Sequence, residues 1–358
     1  MSNLNKIPVT VITGFLGAGK TTLIRHLMQN PQGKRLAVVV NEFGTAGVDG
    51  EILKSCADEN CPAENIMELA NGCICCTVAD DFIPTIEQLM DLPEKPDHIV
   101  IETSGLALPK PLLKAFDWPA IRSRITVDGV VALADAEAVA KGQFATDLDA
   151  VQAQREADEG IDHETPLSEL FKDQISCADI ILLSKADLAG EDGIEQARAA
   201  IEAEAPRKLP ILSMSEGVID PRVILGLEAA AEDDLDARPS HHEHHHHDDD
   251  DHDHDHHHDH DHSHDEFDTI VVEMGEVSDP EALQNAIVKL ARERNILRVK
   301  GYVAVEGKPM RMLVQAVGER LRAQYDKPWG AEPRKTQLVV IAEHDDIDAA
   351  AIRAELGA

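Results

Sequence analysis

The chain has 358 residues, enough for two domains, and carries a formal net charge of −34 at pH 7. Nucleic acids and anionic membrane surfaces bind basic faces, so this charge argues against both as partners. Residues 240–266 contain only 9 Asp and 2 Glu of the 67 acidic residues, so the rest of the chain is acidic as well.

The N-terminal stretch MSNLNKIPVTVITG lacks the charged segment and long apolar region of a secretory signal. No apolar run approaches the length of a transmembrane helix. We therefore expect a cytoplasmic protein, whose thiols are reduced and available as metal ligands.

Compact apolar runs alternate with helical stretches over the first 220 residues. The run IPVTVIT ends in a glycine, and helical periodicity follows in KTTLIRHLMQ. Further runs are RLAVVVNE, DHIVIET, ITVDGVVALAD, ADIILLSK and LPILSMS. Near-continuous apolar strands between helices are typical of a parallel sheet covered on both faces. The sequence predicts an α/β domain with a mainly parallel sheet, and a polar, helical segment between its fourth and fifth apolar runs.

The stretch GFLGAGKT matches the phosphate-binding pattern G-x-x-x-x-G-K-[ST] between a predicted strand and a predicted helix. Its glycines allow backbone N–H groups to surround a β-phosphate, and the helix N-terminus favours negative charge. Lys20 is predicted to lie between the β- and γ-phosphates, and Thr21 to offer its hydroxyl to Mg²⁺. The flanking strand and helix make a chance glycine-rich loop the less favoured interpretation.

Three of the six cysteines, Cys73, Cys75 and Cys76, fall within four positions. Thiolates suit Zn²⁺ and tetrahedral Co²⁺. Cys75 and Cys76 would point to opposite faces of a strand, so we expect two or three sulfurs at one metal. Water, a partner's residue or a side chain such as Glu42 would complete the site. Buried structural cysteines and a Cys73–Cys76 redox pair are the less favoured alternatives. Cys56 and Cys61 have ligand-like spacing and are further candidates.

Two more motifs follow strands. In HIVIETSG the predicted strand ends at Glu102, an acidic residue close to where Mg²⁺ would bind. The motif continues through Ser104 to Gly105, where a backbone amide is expected near the γ-phosphate. LLSKADL places Lys185 and Asp187 where a guanine base would be recognised. The Asp accepts from guanine N1–H and N2–H₂, which adenine lacks, and the Lys stem stacks on the ring. Asp187 therefore favours guanine over adenine. Ser184 stands where Asn is commoner, which weakens one side-chain contact to the base, so guanine is not strictly selected.

Residues 241–264 contain 14 of the 18 histidines, with aspartates between them, and cannot form a packed core. We predict three segments: a nucleotide-binding domain over 1–220, an acidic, His-rich, disordered linker over 221–266, and a small α+β domain over 267–358. In that domain the pattern predicts a strand, a helix, three strands and a closing helix. The linker's imidazoles and carboxylates are expected to collect or buffer divalent ions, and a solvated linker is the alternative.

Together, GFLGAGKTTL, NEFGTAGVDG, GCICC, ETSG and SKAD, in this order, resemble the CobW family of P-loop metallochaperone GTPases. The resemblance covers nearly the whole chain, including the His-rich linker and the C-terminal segment RVKGYVAVEGKPMRMLVQAVGERLRAQYDKPW. The polar segment FATDLDAVQAQREADEGIDHETPLSELFKDQ is most similar to the branch of the family tied to cobalt supply for cobalamin synthesis.

The resemblance implies a role for each matching position. The nucleotide would be held by Gly14, Gly17, Ala18, Gly19, Lys20, Thr21, Thr22, Ser184, Lys185 and Asp187. Glu42 and Asp49 would lie in the first switch, and Lys20, Asp49 and Glu102 would take part in hydrolysis. Cys73, Cys75 and Cys76 correspond to the family's metal motif. Thr45, where an acidic residue is frequent, departs from the pattern.

The implied function is a GTP-hydrolysing metallochaperone. Mg²⁺-GTP would assemble a thiolate site for Co²⁺, and hydrolysis would release the ion to a recipient such as a cobalt-inserting chelatase. Zn²⁺ is the alternative cargo within the same family. A passive His-rich metal buffer is an alternative of another class, and its affinity would not depend on GTP. A small-molecule kinase would need an acceptor pocket, which the sequence does not identify.

Overall fold

The computed structural model describes residues 6–41, 53–69, 82–157, 165–239, 267–294, 296–330, 333–343 and 348–357. Two compact units divide the chain, Met1–Pro239 and Ser240–Ala358. Within the described ranges no helix has the length and apolar character needed to cross a bilayer.

A seven-stranded parallel sheet forms the centre of the first unit. Its strands are β1 (Ile7–Gly14), β2 (Leu36–Asn41), β3 (Ile66–Leu69), β4 (His98–Glu102), β5 (Ile125–Asp135), β6 (Ile180–Ser184) and β7 (Ile211–Met214), in the order β3-β2-β4-β1-β5-β6-β7. Every neighbouring pair is parallel, which confirms the predicted fold class. The sequence did not predict β3, because it has four residues and an exposed Glu68 interrupts its apolar pattern.

Helices cover both faces of this sheet. They are α1 (Lys20–Gln29), α2 (Ile83–Met90), α3 (Pro109–Ala115), α4 (Pro119–Arg122), α5 (Ala136–Ala140), α6 (Leu148–Ala157), α7 (Leu167–Cys177), α8 (Ala186–Glu204) and α9 (Pro221–Ile224). All residues of β4 and β6 are buried, which explains their near-continuous apolar sequences. The polar segment predicted to be helical contains α6 and α7.

The strand register brings the ends of β4, β1 and β5 together. Ile12 pairs with Glu102 on one side of β1, and Gly14 pairs with Leu133 on the other. Since the strands are parallel, their carboxyl ends and the loops that follow lie at one edge of the sheet. In open parallel sheets that edge is where ligands bind.

Residues 221–239, which the sequence predicts to be part of the disordered linker, are packed into the first unit. The Asp128 carboxylate accepts hydrogen bonds from the backbone N–H groups of residues 226–228 at 2.5, 3.0 and 2.7 Å. Arg238 is fully buried and donates to Asp179 at 2.7 Å. These buried charges hold an acidic segment whose composition alone suggested solvation. Residues 240–266 lie outside the described residues, so the linker predicted there stays a prediction.

The second unit contains an antiparallel sheet with helices on one face. Its elements are β8 (Phe267–Met274), α10 (Pro280–Glu293), β9 (Ile296–Val303), β10 (Met310–Val317), β11 (Arg320–Pro328), β12 (Thr336–Glu343) and α11 (Ala349–Leu356), with strand order β11-β10-β9-β12-β8. Side chains of the sheet and of both helices share one apolar cluster. The strand β11 was not predicted, because it is an edge strand with no buried residue and a largely polar sequence.

Candidate functional site

The predicted phosphate-binding loop is a tight turn between β1 and α1. Gly14 has a φ of 140°, and a Cβ there would lie 2.4 Å from the carbonyl oxygen of Leu133, so no larger residue fits. Gly19 precedes α1 with a φ of 90°. Lys20 is buried, and its Nζ donates to the carbonyl oxygens of Gly14 at 2.8 Å and of Phe15 at 3.1 Å. Two backbone carbonyl oxygens therefore hold the lysine head group inside the loop.

The other predicted residues of the loop have different surroundings. Gly17 has a φ of 75°. Ala18 is buried, and its N–H donates to the Phe15 carbonyl at 3.1 Å. Thr22 lies next to Gly217, which is in the loop after β7. A Cβ added to Gly217 would lie 2.7 Å from the Thr22 methyl group. Thr22 therefore contacts the neighbouring loop through its methyl group.

Thr21 and Glu102 meet at the end of β4. The Thr21 hydroxyl donates to Oε1 of Glu102 at 3.3 Å, and the Glu102 side chain is buried. A hydroxyl and a carboxylate are oxygen ligands of the kind that Mg²⁺ prefers, usually with waters and phosphates completing its shell. These two residues therefore fit a Mg²⁺ ion as the sequence predicts.

The loop after Glu102 comes very close to the phosphate-binding loop. A Cβ at Gly105 would lie 2.7 Å from the backbone N of Leu16, so this position requires glycine. Ser104 is buried beside it, and within the described part of the chain its Oγ has no hydrogen-bond partner. A buried hydroxyl therefore lies in the loop that is expected to border the γ-phosphate.

The predicted base-recognition loop follows β6. A Cβ at Gly19 would lie 3.9 Å from Cβ of Ser184, which makes this loop the direct neighbour of the phosphate-binding loop. Ser184 is buried and donates to the Ala134 carbonyl at 3.3 Å. Lys185 adopts a left-handed backbone conformation with φ 55°, and Asp187 is exposed at the start of α8. An exposed carboxylate beside this loop is available to a base.

A carboxylate that the sequence analysis missed fixes the Lys185 side chain. Oδ2 of Asp135, at the end of β5, accepts from Nζ of Lys185 at 2.5 Å and from the Thr146 hydroxyl at 2.6 Å. Burial of Asp135 opposes its ionisation, but hydrogen bonds from Lys185, Thr146 and the Ala138 N–H outweigh it. The pKa of the Asp135 carboxyl is therefore lowered below its usual value, and the ion pair persists well below neutral pH.

The sequence pattern could have identified Asp135 as a candidate site residue, but it could not have identified Thr146 or Gln154. Asp135 ends an apolar strand, which is the same signal that identified Glu102. Thr146 and Gln154 lie in a polar segment without a recognisable functional motif, and only the fold brings Thr146 to Asp135 and Gln154 next to Gly105. Gln174 on α7 donates to the carbonyl oxygens of residues 105 and 107, at 3.1 and 3.3 Å, and so fixes the loop that is predicted to border the γ-phosphate.

The predicted metal motif lies outside the described residues. This applies to Cys73, Cys75 and Cys76, and also to Glu42 and Asp49. In the part of the chain that the structure describes, no group of three or more His, Cys, Asp or Glu side chains could hold a metal ion.

The cysteines that the structure describes, Cys56, Cys61 and Cys177, differ in burial. Burial, with a smaller contribution from Asp58, raises the pKa of the Cys61 thiol to about 12, which disfavours the thiolate that a metal needs. Cys177 is fully buried in the core of the first unit. Cys56 is partly buried, so of the two additional ligand candidates it is the more accessible.

Family models match both units of the chain. Residues 8–212 match the model described as "CobW/HypB/UreG, nucleotide-binding domain", and residues 267–358 match "Cobalamin synthesis protein cobW C-terminal domain".

Individual proteins are similar over the full length. A Sinorhizobium sp protein named zinc chaperone CobW is 51% identical over 358 residues, which covers 100% of this chain and 98% of that one. A Pseudomonas aeruginosa protein of the same name is 48% identical, covering 99% and 92%. The crystal structure of Zn(II)-bound YjiA GTPase from E. coli matches with 24% identity, a TM-score of 0.42 and 99% coverage of each chain.

Proposed function

The chain belongs to the CobW/HypB/UreG family of nucleotide-binding proteins, and we propose that it is a GTP-hydrolysing metallochaperone that carries Zn²⁺ to a recipient protein. The observation that carries this proposal is the meeting of four strand ends at one edge of the parallel sheet. These ends supply Gly14, Glu102, Asp135 and Ser184, the last followed directly by Lys185.

Each strand end serves a different part of the nucleotide. Lys20 and the loop N–H groups would bind the β- and γ-phosphates, as lysine and backbone amides do in other phosphate-binding loops. Thr21 and Glu102 would hold Mg²⁺, which when bound neutralises the charge of the phosphates. Lys185, held by Asp135, would stack on the base, and Asp187 would accept from guanine N1–H and N2–H₂. This division supports GTP as the substrate.

The cysteine motif supplies the cargo-binding chemistry. It follows Leu69, the last residue of β3, which lies at the same edge of the sheet as Glu102 because the strands are parallel. Two or three thiolates suit a tetrahedral zinc ion. A site tethered to this edge would respond to the loss of the γ-phosphate, and hydrolysis would then release the metal.

Zinc is preferred as the cargo because both full-length relatives described above are named zinc chaperones. Cobalt, expected from the resemblance of the polar segment, appears in neither name. With zinc as the cargo, the recipient is a zinc-dependent protein instead of a cobalt-inserting chelatase. Thiolate sites bind zinc more tightly than cobalt, so a zinc chaperone needs no special device to reject cobalt.

The test measures metal affinity in two nucleotide states. A variant that lacks residues 241–264 removes the His-rich tract, and its affinities for Zn²⁺ and Co²⁺ are measured with Mg²⁺-bound non-hydrolysable GTP and then with Mg²⁺-GDP. We expect much tighter zinc binding with the GTP analogue. Thiolate-to-cobalt absorption bands report whether sulfur is the ligand, and release of phosphate from GTP reports hydrolysis.

Two variants provide the controls. Cys75→Ser should abolish the tight, nucleotide-dependent site, and Cys177→Ala, which removes a buried thiol outside the motif, should leave it unchanged. Equal affinity in the two nucleotide states would reject the gating mechanism and favour the passive buffer. Cobalt bound more tightly than zinc in the GTP state would restore cobalt as the cargo. Transfer of phosphate to a metabolite in place of water would support the kinase.

A further inference from the structure

The side chain of Gln154 points to the junction of the two loops that border the γ-phosphate position. A Cβ added to Gly105 would lie 3.2 Å from Oε1 of Gln154 and 2.7 Å from the backbone N of Leu16. The helix α6, the phosphate-binding loop and the loop after β4 therefore converge at one point. Oε1 of Gln154 is buried and accepts no hydrogen bond from the described part of the chain.

Packing holds Gln154 in this position. Val151, one turn earlier on α6, is fully buried and belongs to the same apolar cluster as Phe15 and Leu106. The ring of Phe15, within the phosphate-binding loop, stacks on Phe144 with centroids 5.8 Å apart. The polar segment is thus joined to the phosphate-binding loop at two points that precede Gln154, Phe144 and Val151.

The far side of the junction is held as well. Nε2 of Gln174 donates to the Gly105 carbonyl, which fixes the peptide that approaches Leu16. An unsatisfied buried amide oxygen is costly, so it persists where a ligand or water supplies the missing partner. Here the predicted ligand is a nucleotide, and its γ-phosphate would be bordered by Leu16 and Gly105.

We propose that Gln154 orients the water molecule that attacks the γ-phosphate, an inference that rests on the proposed GTP hydrolysis. Its Oε1 accepts a hydrogen bond from the water, and its Nε2 donates to a γ-phosphate oxygen. The water oxygen bonds to the γ-phosphorus while the bond to the bridging oxygen breaks, and that electron pair leaves with GDP. The water protons pass to the released phosphate and to solvent.

A carboxamide is suited to this position because it accepts from water and donates to phosphate at once. Positioning of water by a glutamine is an established part of phosphoryl transfer to water. A carboxylate would also accept from water, but it would repel the phosphate. Gln154 should therefore strengthen binding of the γ-phosphate, and the change Gln154→Glu should weaken it.

The test compares three variants of the full chain. Gln154→Ala removes the carboxamide, Gln154→Glu replaces it with a charge, and Gln152→Ala changes an exposed residue of the same helix. Single-turnover GTP hydrolysis is measured with Mg²⁺, together with affinities for GDP and for a non-hydrolysable GTP analogue. We expect Gln154→Ala to slow hydrolysis on the order of 100-fold, to leave GDP affinity within about threefold, and to unfold at the same temperature as Gln152→Ala.

Gln154→Glu should weaken binding of the GTP analogue about tenfold or more relative to GDP, since only the analogue carries the γ-phosphate. A purely structural role would instead weaken both nucleotides together, and that result would overturn the inference. Hydrolysis by Gln154→Ala within threefold of the native rate would overturn it too. If either variant fails to fold, Gln154→Asn is measured in its place. This change keeps the carboxamide but shortens the side chain by one methylene, so it should also slow hydrolysis without weakening GDP binding. A native chain that hydrolyses no GTP would overturn the proposed function as well.

Discussion

Replacing Asp135 with asparagine tests whether the base side of the site depends on the buried ion pair. The change keeps the shape of the side chain and removes its charge. Nζ of Lys185 and Oδ2 of Asp135 are 2.5 Å apart, with exposed side-chain fractions of 30% and 1%. A hydrogen bond between charged groups contributes about 1.5–3 kcal/mol, and the partial exposure of Lys185 reduces this to about 1–2 kcal/mol.

Because Lys185 is expected to contact the base, this loss should appear in the affinity for every guanine nucleotide. We expect Asp135→Asn to weaken GDP and a GTP analogue equally, by about 5- to 30-fold. Titration of a fluorescent guanine nucleotide measures both. The pKa of Asp135 is lowered, so its contribution is present above the carboxyl's usual pKa and is lost only as pH falls through the lowered value. Affinity due to this pair should therefore stay constant from pH 8 to pH 5.

Asp147→Asn is the matched control. Asp147 is exposed, precedes α6 and accepts from the Ala150 N–H at 2.9 Å, and asparagine caps a helix about as well as aspartate. The control makes the same change of charge without touching Lys185. A loss of less than twofold for Asp135→Asn, or an equal loss for Asp147→Asn, would refute the reasoning.

Three further predictions concern stability. Burial lowers the pKa of His98 to about 4, against the opposing charge of Asp128, so the unfolded chain takes up a proton below about pH 6.5 that the folded chain does not. The first unit should lose on the order of 3 kcal/mol between pH 6.5 and 4 by chemical denaturation, and His98→Gln should reduce that loss. Gly301→Ala would place a Cβ 1.9 Å from the Gln337 carbonyl oxygen, so it should unfold the second unit at 37 °C, whereas Gly275→Ala, with open space, should not. Arg238→Met should cost about 3–5 kcal/mol by leaving Asp179 buried with a weakened pairing, and a cost below 1 kcal/mol would contradict this.

The sequence predicts those features of the fold that depend on local patterns. Gly14, Glu102 and Ser184 each stand where an apolar run stops, so the strand ends and their loops could be assigned before the structure was known. The strand β11 escaped prediction because an edge strand buries too little to produce an apolar pattern. The disordered linker predicted for residues 221–239 was wrong for a related reason, because their acidic composition is typical of a solvated segment. Their packing depends on Asp128 and Asp179, which are distant in the sequence.

The candidate site divides in the same way. Lys20 and Thr21 belong to a contiguous motif, and their predicted roles follow from its spacing. Gln154 belongs to no motif, since its contact with Gly105 exists only because α6 folds back over the phosphate-binding loop. The sequence of this polar segment does not show which of its side chains reach the candidate site, although in the fold Thr146 contacts Asp135 and Gln154 lies next to Gly105.

That segment suggests how the base and the γ-phosphate would be recognised together in the proposed GTPase. Thr146, just before α6, donates to Asp135 on the base side, and Gln154 on the same helix faces Gly105 on the phosphate side. Because α6 is one packed element, with Val151 buried between these contacts, we expect a shift at one end to displace the other. The effects of Asp135→Asn and Gln154→Ala on hydrolysis should therefore not add. Additive effects would mean that the two ends act independently and that α6 is only a scaffold.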